Sequence, residues 1–339
     1  MADETAISWT ATDGKPGATF NPWLGCQRVS PGCQHCYAET FVTRRMGLPV
    51  WGPSTTTERK RTAPSNWKKP LAWNRTAQRE GRRIKVFCSS LADVFEDNPQ
   101  VAPWRRELFQ MIEQTTHLDW LLLTKRPEHM RRLAVEAGWP SVWPAHVWAG
   151  TTVEDKRRAE ERIPHLLQVP ARIRFLSCEP LLEAVNLTDT PANLPRLSGE
   201  YDDDYFDALA GRGNELQEEG HTDTEYPRLS WIICGGESGP GARPFDLGWA
   251  RSLRDQCGAA GVPFFMKQMG ANPIDSGVRD IVSPDGKAIC QRPVGHPDIE
   301  EALRSGGYSV RPGKPRYKDK AGADPSEWPE PMRVQEFPR

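Results

Sequence analysis

The sequence lacks the segments that would place the protein in a membrane or export it. Its 339 residues contain no run of about 18 or more apolar residues, which excludes an ordinary transmembrane helix. The N-terminal stretch MADETAISWTATDG has no basic region followed by an apolar one, so it does not resemble a secretory signal. We therefore expect a cytoplasmic protein with no membrane partner.

The sequence also lacks an excess of charge of either sign. It has 44 Lys and Arg residues against 45 Asp and Glu residues, for a formal net charge of −1. Any affinity for nucleic acid must therefore come from a local patch and not from the field of the whole molecule. With 37% hydrophobic residues, the chain has enough apolar material for a substantial core, which excludes a wholly disordered protein.

The eight cysteines are not expected to form a disulfide framework, because the chain carries no export signal. Three of them, Cys26, Cys33 and Cys36, lie close together in GCQRVSPGCQHCYAE, residues 25–39. Thiolates at such short spacing favour a soft metal centre, either zinc or an iron–sulfur cluster. Structural zinc needs four ligands, for which His35 or a remote cysteine is available. A 4Fe–4S cluster held by three thiolates leaves one iron open for catalysis, and the spacing alone does not decide between the two.

Short apolar runs alternate with helix-like stretches along the chain. We predict strands at residues 84–90, 120–126, 146–152, 172–180, 231–239 and 262–268, with 18–26 as a weaker first strand. We predict helices at residues 103–117, 153–168, 246–260 and 297–305. The alternation predicts an α/β fold, in the form of a partial (β/α)6-type barrel of about six strands. A C-terminal extension, expected to be irregular apart from its helix, follows the barrel.

We assign residues 1–270 to the α/β domain and residues 271–339 to the extension. Two charged segments interrupt the domain. The basic segment 58–85 has ten Lys and Arg residues against two Glu, and the acidic insertion 187–229 includes ten Asp and Glu residues against one Arg within 200–226. Chemistry on such folds collects at the carboxyl ends of the strands. The cysteine motif, which follows the first predicted strand, is therefore expected at the catalytic edge.

The cysteine motif resembles that of the radical S-adenosylmethionine superfamily. The usual superfamily spacing is Cys-x3-Cys-x2-Cys, whereas the Cys-x6-Cys-x2-Cys spacing here matches a phage- and prophage-associated branch with the signature GC-x3-SPGC-x2-CYAE. That branch also shows the later strings SCEPLL, GGESGPGARP and FFMKQMG, found here at 177–182, 235–244 and 264–270. The branch is similar to spore photoproduct lyase, a radical enzyme that acts on thymine in DNA. The resemblance covers roughly residues 5–270.

The resemblance implies that Cys26, Cys33 and Cys36 ligate three irons of a 4Fe–4S cluster and that the fourth iron binds S-adenosylmethionine. One-electron reduction would cleave this cofactor to methionine and a 5′-deoxyadenosyl radical, which abstracts a substrate hydrogen. The electron would come from a donor such as flavodoxin or ferredoxin.

Polar residues at the predicted strand ends are the expected cofactor-binding groups. They are Ser89, Ser90, Thr151, Thr152, Glu154, Gly235, Gly236, Glu237 and Ser238. The superfamily's usual Gly-Gly-Glu is absent at Ser89 and Ser90, where Asp93 is a substitute. The alternative roles are helix capping for the threonines and Glu154, and a simple β–α turn for the glycine-rich string.

Cys178 and Glu179 end another strand and are the candidate catalytic residues. Cys178 is a candidate hydrogen-atom donor, and Glu179 is a carboxylate placed on the active rim before a rigid proline. Their alternative roles are a buried cysteine and a structural glutamate.

The basic segment is a candidate nucleic-acid contact, because its cations suit phosphates and its indoles suit base stacking. The residues concerned are Arg59, Lys60, Arg61, Trp67, Lys68, Lys69 and Trp73. The alternative is a solvated charged surface.

Together these features predict a radical S-adenosylmethionine enzyme that acts on a thymine or hypermodified thymine in phage DNA, within the cytoplasm of the bacterial host. A concrete candidate reaction is the isomerisation of an amino-acid-modified thymidine. The alternatives are a repair enzyme of the photoproduct-lyase type and a non-catalytic zinc-binding nucleic-acid module.

Overall fold

The computed structural model describes residues 5, 7–139, 141–191, 205–213, 227–305, 308–315 and 317–338. Within them the strands are β1 (Ala18–Thr19), β2 (Trp23–Leu24), β3 (Lys60–Arg61), β4 (Ile84–Cys88), β5 (Leu118–Thr124), β6 (Val147–Thr152), β7 (Ile173–Cys178), β8 (Thr190–Pro191), β9 (Tyr205–Asp207), β10 (Arg212–Gly213), β11 (Trp231–Gly235), β12 (Phe245–Asp246), β13 (Phe264–Gln268), β14 (Pro273–Val282), β15 (Ala288–Pro293) and β16 (Ser309–Gly313). The α-helices are α1 (Tyr37–Thr40), α2 (Pro64–Trp67), α3 (Lys69–Arg79), α4 (Ala102–Gln114), α5 (Met130–Glu136), α6 (Lys156–Leu167), α7 (Leu247–Ala260) and α8 (Pro297–Arg304). None of these helices is long and apolar enough to cross a membrane.

Seven strands form a curled, open parallel sheet with the shape of a half-barrel. Their order is β1-β4-β5-β6-β7-β11-β13. Val86 of β4 lies opposite Trp120 of β5, and Trp120 lies opposite Val147 of β6. Every residue of β4 and β11 is buried, as expected for apolar strands covered on both faces. The prediction of a partial α/β barrel is confirmed at this level.

The two faces of the sheet are covered differently. Helices cover the outer face, where Leu108 and Ile163 belong to the main apolar core. The inner face is filled by an aromatic-rich cluster that includes Trp9, Phe175 and Trp231. A side chain at Gly150 would place its Cβ 2.3 Å from the Phe175 ring, so only glycine fits there. The inner face of the half-barrel is therefore a packed core below the carboxyl edge.

Local sequence signals explain where the helices begin and end. The Asp246 side chain caps α7 by accepting a hydrogen bond from the Gly248 N–H, and Gly261 ends this helix with a φ of +64°. The Asp155 side chain caps α6 in the same way through the Arg158 N–H. The four predicted helices are all present, with ends shifted by a few residues at most.

The connection from β7 to β11 departs from a regular strand–helix repeat. Its described residues contain the small antiparallel sheet β10-β9-β8 and no helix. This connection coincides with the predicted acidic insertion at 187–229. Leu187, Phe206, Leu209 and Leu229 are buried, so the described parts of the insertion are anchored in the core. Most of its acidic residues lie outside the described residues.

The prediction of an irregular C-terminal extension was wrong. The long strand β14 pairs antiparallel with both β15 and β16, and it pairs parallel with β12 of the preceding domain. The chain end also returns to the half-barrel, where the Met266 N–H donates to the Val334 carbonyl over 2.8 Å beside β13. Strands β14 to β16 are rich in polar residues, and their sequences show no clear alternation of apolar and polar residues. The boundary at residue 270 stays a prediction.

Candidate functional site

A cavity of about 620 Å³ lies at the carboxyl edge of the half-barrel. Its wall is built from the ends of several parallel strands and from the segment that follows β2. Cys26, Cys33 and Cys36 all line it, and each is half-buried. We call residues 25–37 the cysteine loop. The predicted placement of this loop at the carboxyl edge of the sheet is therefore confirmed.

The first anchor of the cysteine loop is an arginine at the end of β5. The Arg126 guanidinium donates to the Gln27 carbonyl over 2.8 Å and lies 3.7 Å from the Cys26 sulfur. It also donates to the Asp93 carboxylate over 2.7 Å, and both side chains are more than nine-tenths buried. Burial alone would raise the pKa of Asp93, but Arg126 and the Thr124 hydroxyl outweigh it and hold that pKa below its usual value. Asp93 and Arg126 thus form a buried ion pair that positions Cys26.

Burial disfavours the thiolate form of two of the loop cysteines, Cys26 and Cys36. Burial raises the pKa of Cys26 to about 12, although the nearby Arg126 favours the thiolate. Burial also raises the pKa of Cys36 above its ordinary value. Thiol ligands lose their protons when a metal binds, because the cation supplies the missing positive charge.

The second anchor lies at the end of β6. The Glu154 carboxylate accepts a hydrogen bond from the Gly32 N–H over 3.2 Å and another from Arg162 over 2.7 Å. A Cβ at Gly32 would lie 3.0 Å from the nearer Glu154 oxygen, so glycine permits the close approach. Glu154 has no exposed surface and does not line the cavity. Its expected role in cofactor binding is wrong, because its side chain is committed to the cysteine loop.

Two more contacts tie the last part of the loop to the strand ends. The His35 ring Nδ1 lies 3.1 Å from the Glu237 carboxylate, which also pairs with Arg243. These hydrogen bonds outweigh burial and lower the pKa of Glu237. The Tyr37 hydroxyl donates to the Ser90 carbonyl over 3.1 Å. The cysteine loop is therefore held by groups that follow four strands of the sheet: β4, β5, β6 and β11.

The donor set of the cavity fits a sulfur-liganded group. Among the described residues, no three His, Cys, Asp or Glu side chains are already arranged as ligands of one metal ion. The three loop cysteines nevertheless face one cavity, and thiolates suit zinc or an iron–sulfur cluster. The buried Thr152 hydroxyl also lines this cavity and has no hydrogen-bond partner in the described part of the chain. An unpartnered buried hydroxyl at a cavity wall is a group that a polar ligand would satisfy.

The predicted cofactor residues divide into two sets. Six of them line the cavity: Ser89, Ser90, Thr152, Gly236, Glu237 and Ser238. The other three, Thr151, Glu154 and Gly235, are buried outside its lining. The Thr151 hydroxyl donates to the Thr124 carbonyl over 2.9 Å, so it links two strands. Adjacent residues in a strand face opposite sides, which explains why only one of the two threonines reaches the cavity.

The same alternation separates the two catalytic candidates. Glu179 lines the cavity and forms a short ion pair with Lys267, which also lines it. Cys178 has no exposed surface and belongs to the main apolar core on the other side of the sheet. Its assignment as a hydrogen-atom donor is wrong, and burial raises the pKa of its thiol.

The predicted nucleic-acid contact in the basic segment is wrong for its aromatic residues and for Arg59. Trp67 and Trp73 are 7% and 3% exposed, so neither indole is available to stack on a base. Arg59 is 2% exposed and donates to the Glu96 carboxylate over 2.6 and 2.9 Å. Helices α2 and α3 turn both tryptophans towards the sheet, which is the ordinary place for indoles at helical spacing.

The remaining four cations of this segment differ in their surroundings. Arg61 lies over the Trp67 ring at 4.2 Å and pairs with Glu107, and Lys69 is half-buried. Only Lys60 and Lys68 of the seven predicted contact residues are exposed. Two isolated lysines do not make the continuous cationic and aromatic surface that the sequence suggested.

Several groups that hold the site were missed or misassigned. Arg126, Arg162, Arg243 and Lys267 were not among the predicted site residues. The available signal was the position of Arg126 and Lys267 at predicted strand ends. No local signal pairs His35 with Glu237, which are 202 residues apart.

Residues 4–330 match the family described as "Protein of unknown function (DUF5131)", so the chain belongs to that family. No curated protein and no solved structure matches the chain significantly.

Proposed function

We propose that this DUF5131 member is a radical S-adenosylmethionine enzyme whose 4Fe–4S cluster is held by Cys26, Cys33 and Cys36. The observation that carries the proposal is that all three cysteines line one cavity at the carboxyl edge of a parallel half-barrel. This is the edge at which α/β barrels collect their catalytic groups. A structural zinc site would instead need a fourth ligand, and only His35 of the loop offers one.

The chain's own residues would hold and shield the two cofactors. When bound, the 4Fe–4S cluster and S-adenosylmethionine would supply one-electron cleavage of the sulfonium and abstraction of a hydrogen from the substrate. Arg126, Glu154 and Glu237 fix the cysteine loop from three strands, so the positions of the thiolates are set before the cofactors bind. Ser89, Thr152 and Ser238 offer polar atoms to S-adenosylmethionine from the cavity wall. The aromatic core below the cavity limits access of water from that side.

The substrate we propose is a thymine or hypermodified thymine in DNA, with isomerisation of an amino-acid-modified thymidine as the concrete reaction. The sequence resemblance to a phage-associated branch supports this class. The Glu179–Lys267 pair supports it as well, because adjacent opposite charges on the cavity wall complement the ammonium and carboxylate of an amino-acid substituent. We place the enzyme in the bacterial cytoplasm, with flavodoxin or ferredoxin as the electron donor.

The reaction class is tested by anaerobic reconstitution with iron and sulfide, followed by dithionite and S-adenosylmethionine. We expect a brown protein with about four irons that releases 5′-deoxyadenosine. Cys33→Ala should lose one of the three cluster ligands and with it the bound iron, so that release of 5′-deoxyadenosine falls by at least about a hundredfold. Cys290→Ala is the matched control, because Cys290 is half-buried but lies outside the cavity lining.

A colourless protein with one equivalent of zinc would contradict the radical mechanism and favour the zinc-binding module. Equal 5′-deoxyadenosine release by Cys33→Ala and the control variant would contradict the assignment of the ligands.

The substrate is tested separately with a panel of unmodified, ultraviolet-irradiated and amino-acid-modified thymidine DNA. We expect product only from the modified DNA. Repair of the irradiated DNA would instead identify a photoproduct lyase. No product from any member of the panel, with a cluster that still cleaves S-adenosylmethionine, would remove DNA thymine as the substrate.

A further inference from the structure

A second basic segment lies in the C-terminal extension, at residues 304–320. It contains six Lys and Arg residues and one acidic residue, Asp319. Unlike the basic segment at 58–85, it has no tryptophan to turn it into the core. Its regular part is the edge strand β16, which pairs with β14 among the described residues.

The cations of this segment divide by their partners. Arg304 pairs with Glu300 over 3.0 Å, and Arg311 pairs with the buried Asp280 over 3.4 Å. Lys314, Lys318 and Lys320 are all exposed, and no carboxylate among the described residues pairs with them. Two carboxylates lie close to this stretch without forming an ion pair with the lysines. Asp319 accepts hydrogen bonds from the Ala321 and Ala323 N–H groups, and Glu327 accepts one from the Asp319 N–H over 3.1 Å. Three free ammonium groups therefore lie along one short stretch of chain.

The turn that follows Lys320 lies beside the chain next to the cavity wall. Gly322, two residues after Lys320, accepts a hydrogen bond from the Met269 N–H over 2.7 Å. Its backbone lies so close to Gly270 that a Cβ at Gly322 would be 2.6 Å from the Gly270 carbonyl. Ala271, which follows Gly270, donates through its N–H to the Glu237 carbonyl over 2.7 Å, and Glu237 lines the cavity. The turn that follows Lys320 is therefore tied to the chain after β13, next to the cavity wall.

A cluster of lysines suits a polyanion. Lys314, Lys318 and Lys320 lie within seven residues of sequence, and the chain bends at Lys318 and turns at Lys320. A strand of DNA places one phosphate about every 3.4 Å along the helix axis, so a compact group of ammonium ions can contact more than one phosphate. An acidic electron donor is the other candidate partner. The proposed function requires the protein to hold DNA, and measuring both duplex binding and reduction by flavodoxin distinguishes the two partners.

We propose that Lys314, Lys318 and Lys320 bind the phosphate backbone of the DNA substrate and guide it to the cavity. This proposal rests on the proposed function, which makes DNA the substrate. It replaces the interface predicted at residues 58–85, whose indoles are buried.

The experiment measures binding of the reconstituted protein to a fluorescein-labelled thymine-containing duplex by anisotropy, between 50 and about 200 mM salt. The test variant is Lys314→Ala/Lys318→Ala/Lys320→Ala. The matched control is Lys15→Ala/Lys60→Ala/Lys68→Ala, which removes three exposed lysines elsewhere and gives the same net charge. A third variant replaces Lys314, Lys318 and Lys320 by Arg. Iron content, the rate of cluster reduction by flavodoxin and DNA-independent cleavage of S-adenosylmethionine with dithionite are measured on every preparation.

We expect the Ala test variant to bind the duplex at least about tenfold more weakly at low salt. The slope of log affinity against log salt should become shallower by roughly 2 to 3, because about 0.9 counterions are released for each phosphate neutralised. The Arg variant should bind like the wild type, and all variants should keep their iron and cleavage activity.

Three results would overturn the proposal: no duplex binding by the wild type, equal losses in the test and control variants, or unchanged DNA binding with slower reduction by flavodoxin. The last result would assign the lysines to the electron donor. If the wild type binds no iron or does not cleave the cofactor, the proposed function fails. The difference in duplex binding between the test and control variants still decides whether the three lysines contact DNA.

Discussion

The two basic segments of this protein are similar in charge but differ in which of their side chains are buried. Residues 58–85 carry ten Lys and Arg residues, and residues 304–320 carry six, each with very few acidic residues. In the first segment Arg59, Trp67, Trp73 and Lys85 are all buried. In the second segment the three lysines from Lys314 to Lys320 are exposed.

The difference comes from the apolar residues between the charges. Trp73 and Ala77 lie four positions apart on α3 and face the core, so this helix packs against the sheet while its Arg75 and Arg79 stay exposed. The two buried cations of the segment, Arg59 and Lys85, lie outside this helix. Glu96 and a cation–π contact with Phe337 then compensate the buried Arg59 and Lys85. The second segment has one half-buried aromatic residue packed on the core, Tyr317, but no apolar stripe of this kind among its described residues. A run of charge therefore indicates an interface only when no apolar stripe accompanies it.

The sharpest way to break this comparison is Arg59→Ala. It would leave Glu96 buried and unpaired, together with the carbonyls of Val50 and Gly52 that Arg59 satisfies. We expect a loss of about 3–5 kcal/mol in the free energy of unfolding, measured with urea.

Arg59→Met/Glu96→Met is the control for this prediction. It removes both charges together and should therefore be less destabilised than Arg59→Ala. A loss below about 1 kcal/mol for Arg59→Ala would mean that the Arg59 side chain is solvent-exposed and that this part of the segment belongs to the protein surface.

A smaller effect is expected from Lys85 through pH. Burial lowers the pKa of Lys85 from 10.5 to about 8, although its ammonium donates to the Ala11 carbonyl over 2.7 Å. Between these two values the unfolded chain holds more protons than the folded one, so the contribution of Lys85 to stability rises with pH. Relative to Lys85→Met, the wild type should gain on the order of 2 kcal/mol from pH 8 to 10.5.

Urea unfolding of both proteins across this pH range checks the prediction, since groups other than Lys85 cancel in the difference. Parallel profiles for the two proteins would show that Lys85 titrates normally and is solvated.

The smallest effect is expected from the two exposed lysines of the first segment. Lys60→Ala/Lys68→Ala should change the free energy of unfolding by no more than about 0.5 kcal/mol, because neither side chain is buried or ion-paired in the described structure. Thermal unfolding measures this change, and duplex anisotropy on the same variant should show an unchanged affinity. A tenfold loss of DNA affinity here would return the interface to residues 58–85.

The sequence was sufficient to predict most of the sheet and the location of the site. Runs such as IKVFC and WIICG are apolar throughout, which is a strong signal for strands covered on both faces. The cysteine spacing placed the three thiols after the first strand. The antiparallel strands β14 to β16 were missed because the polar and apolar residues of β14 follow no regular alternation.

Within the site, residue type was easier to predict than role. Ser89, Thr152 and Glu237 were expected at the cavity and line it. Thr151 and Cys178 were expected there too. Because adjacent side chains in a strand face opposite sides, both are buried on the side of the sheet away from the cavity. A position at the end of a predicted strand shows that a residue lies near the carboxyl edge of the sheet. Which side of the sheet its side chain faces depends on the exact register, and the sequence does not fix the strand ends to within one residue.

Local order in the chain therefore determined the elements and the chemistry available, because hydrophobic period and residue spacing act over short distances. Only the tertiary structure decided the four contacts that hold the cysteine loop, which join residues between 53 and 202 positions apart. It also decided which charges are buried, since Arg59 is buried against the Glu96 carboxylate and the carbonyls of Val50 and Gly52. Such pairings follow from how the sheet brings distant strand ends together, and no local pattern carries that information.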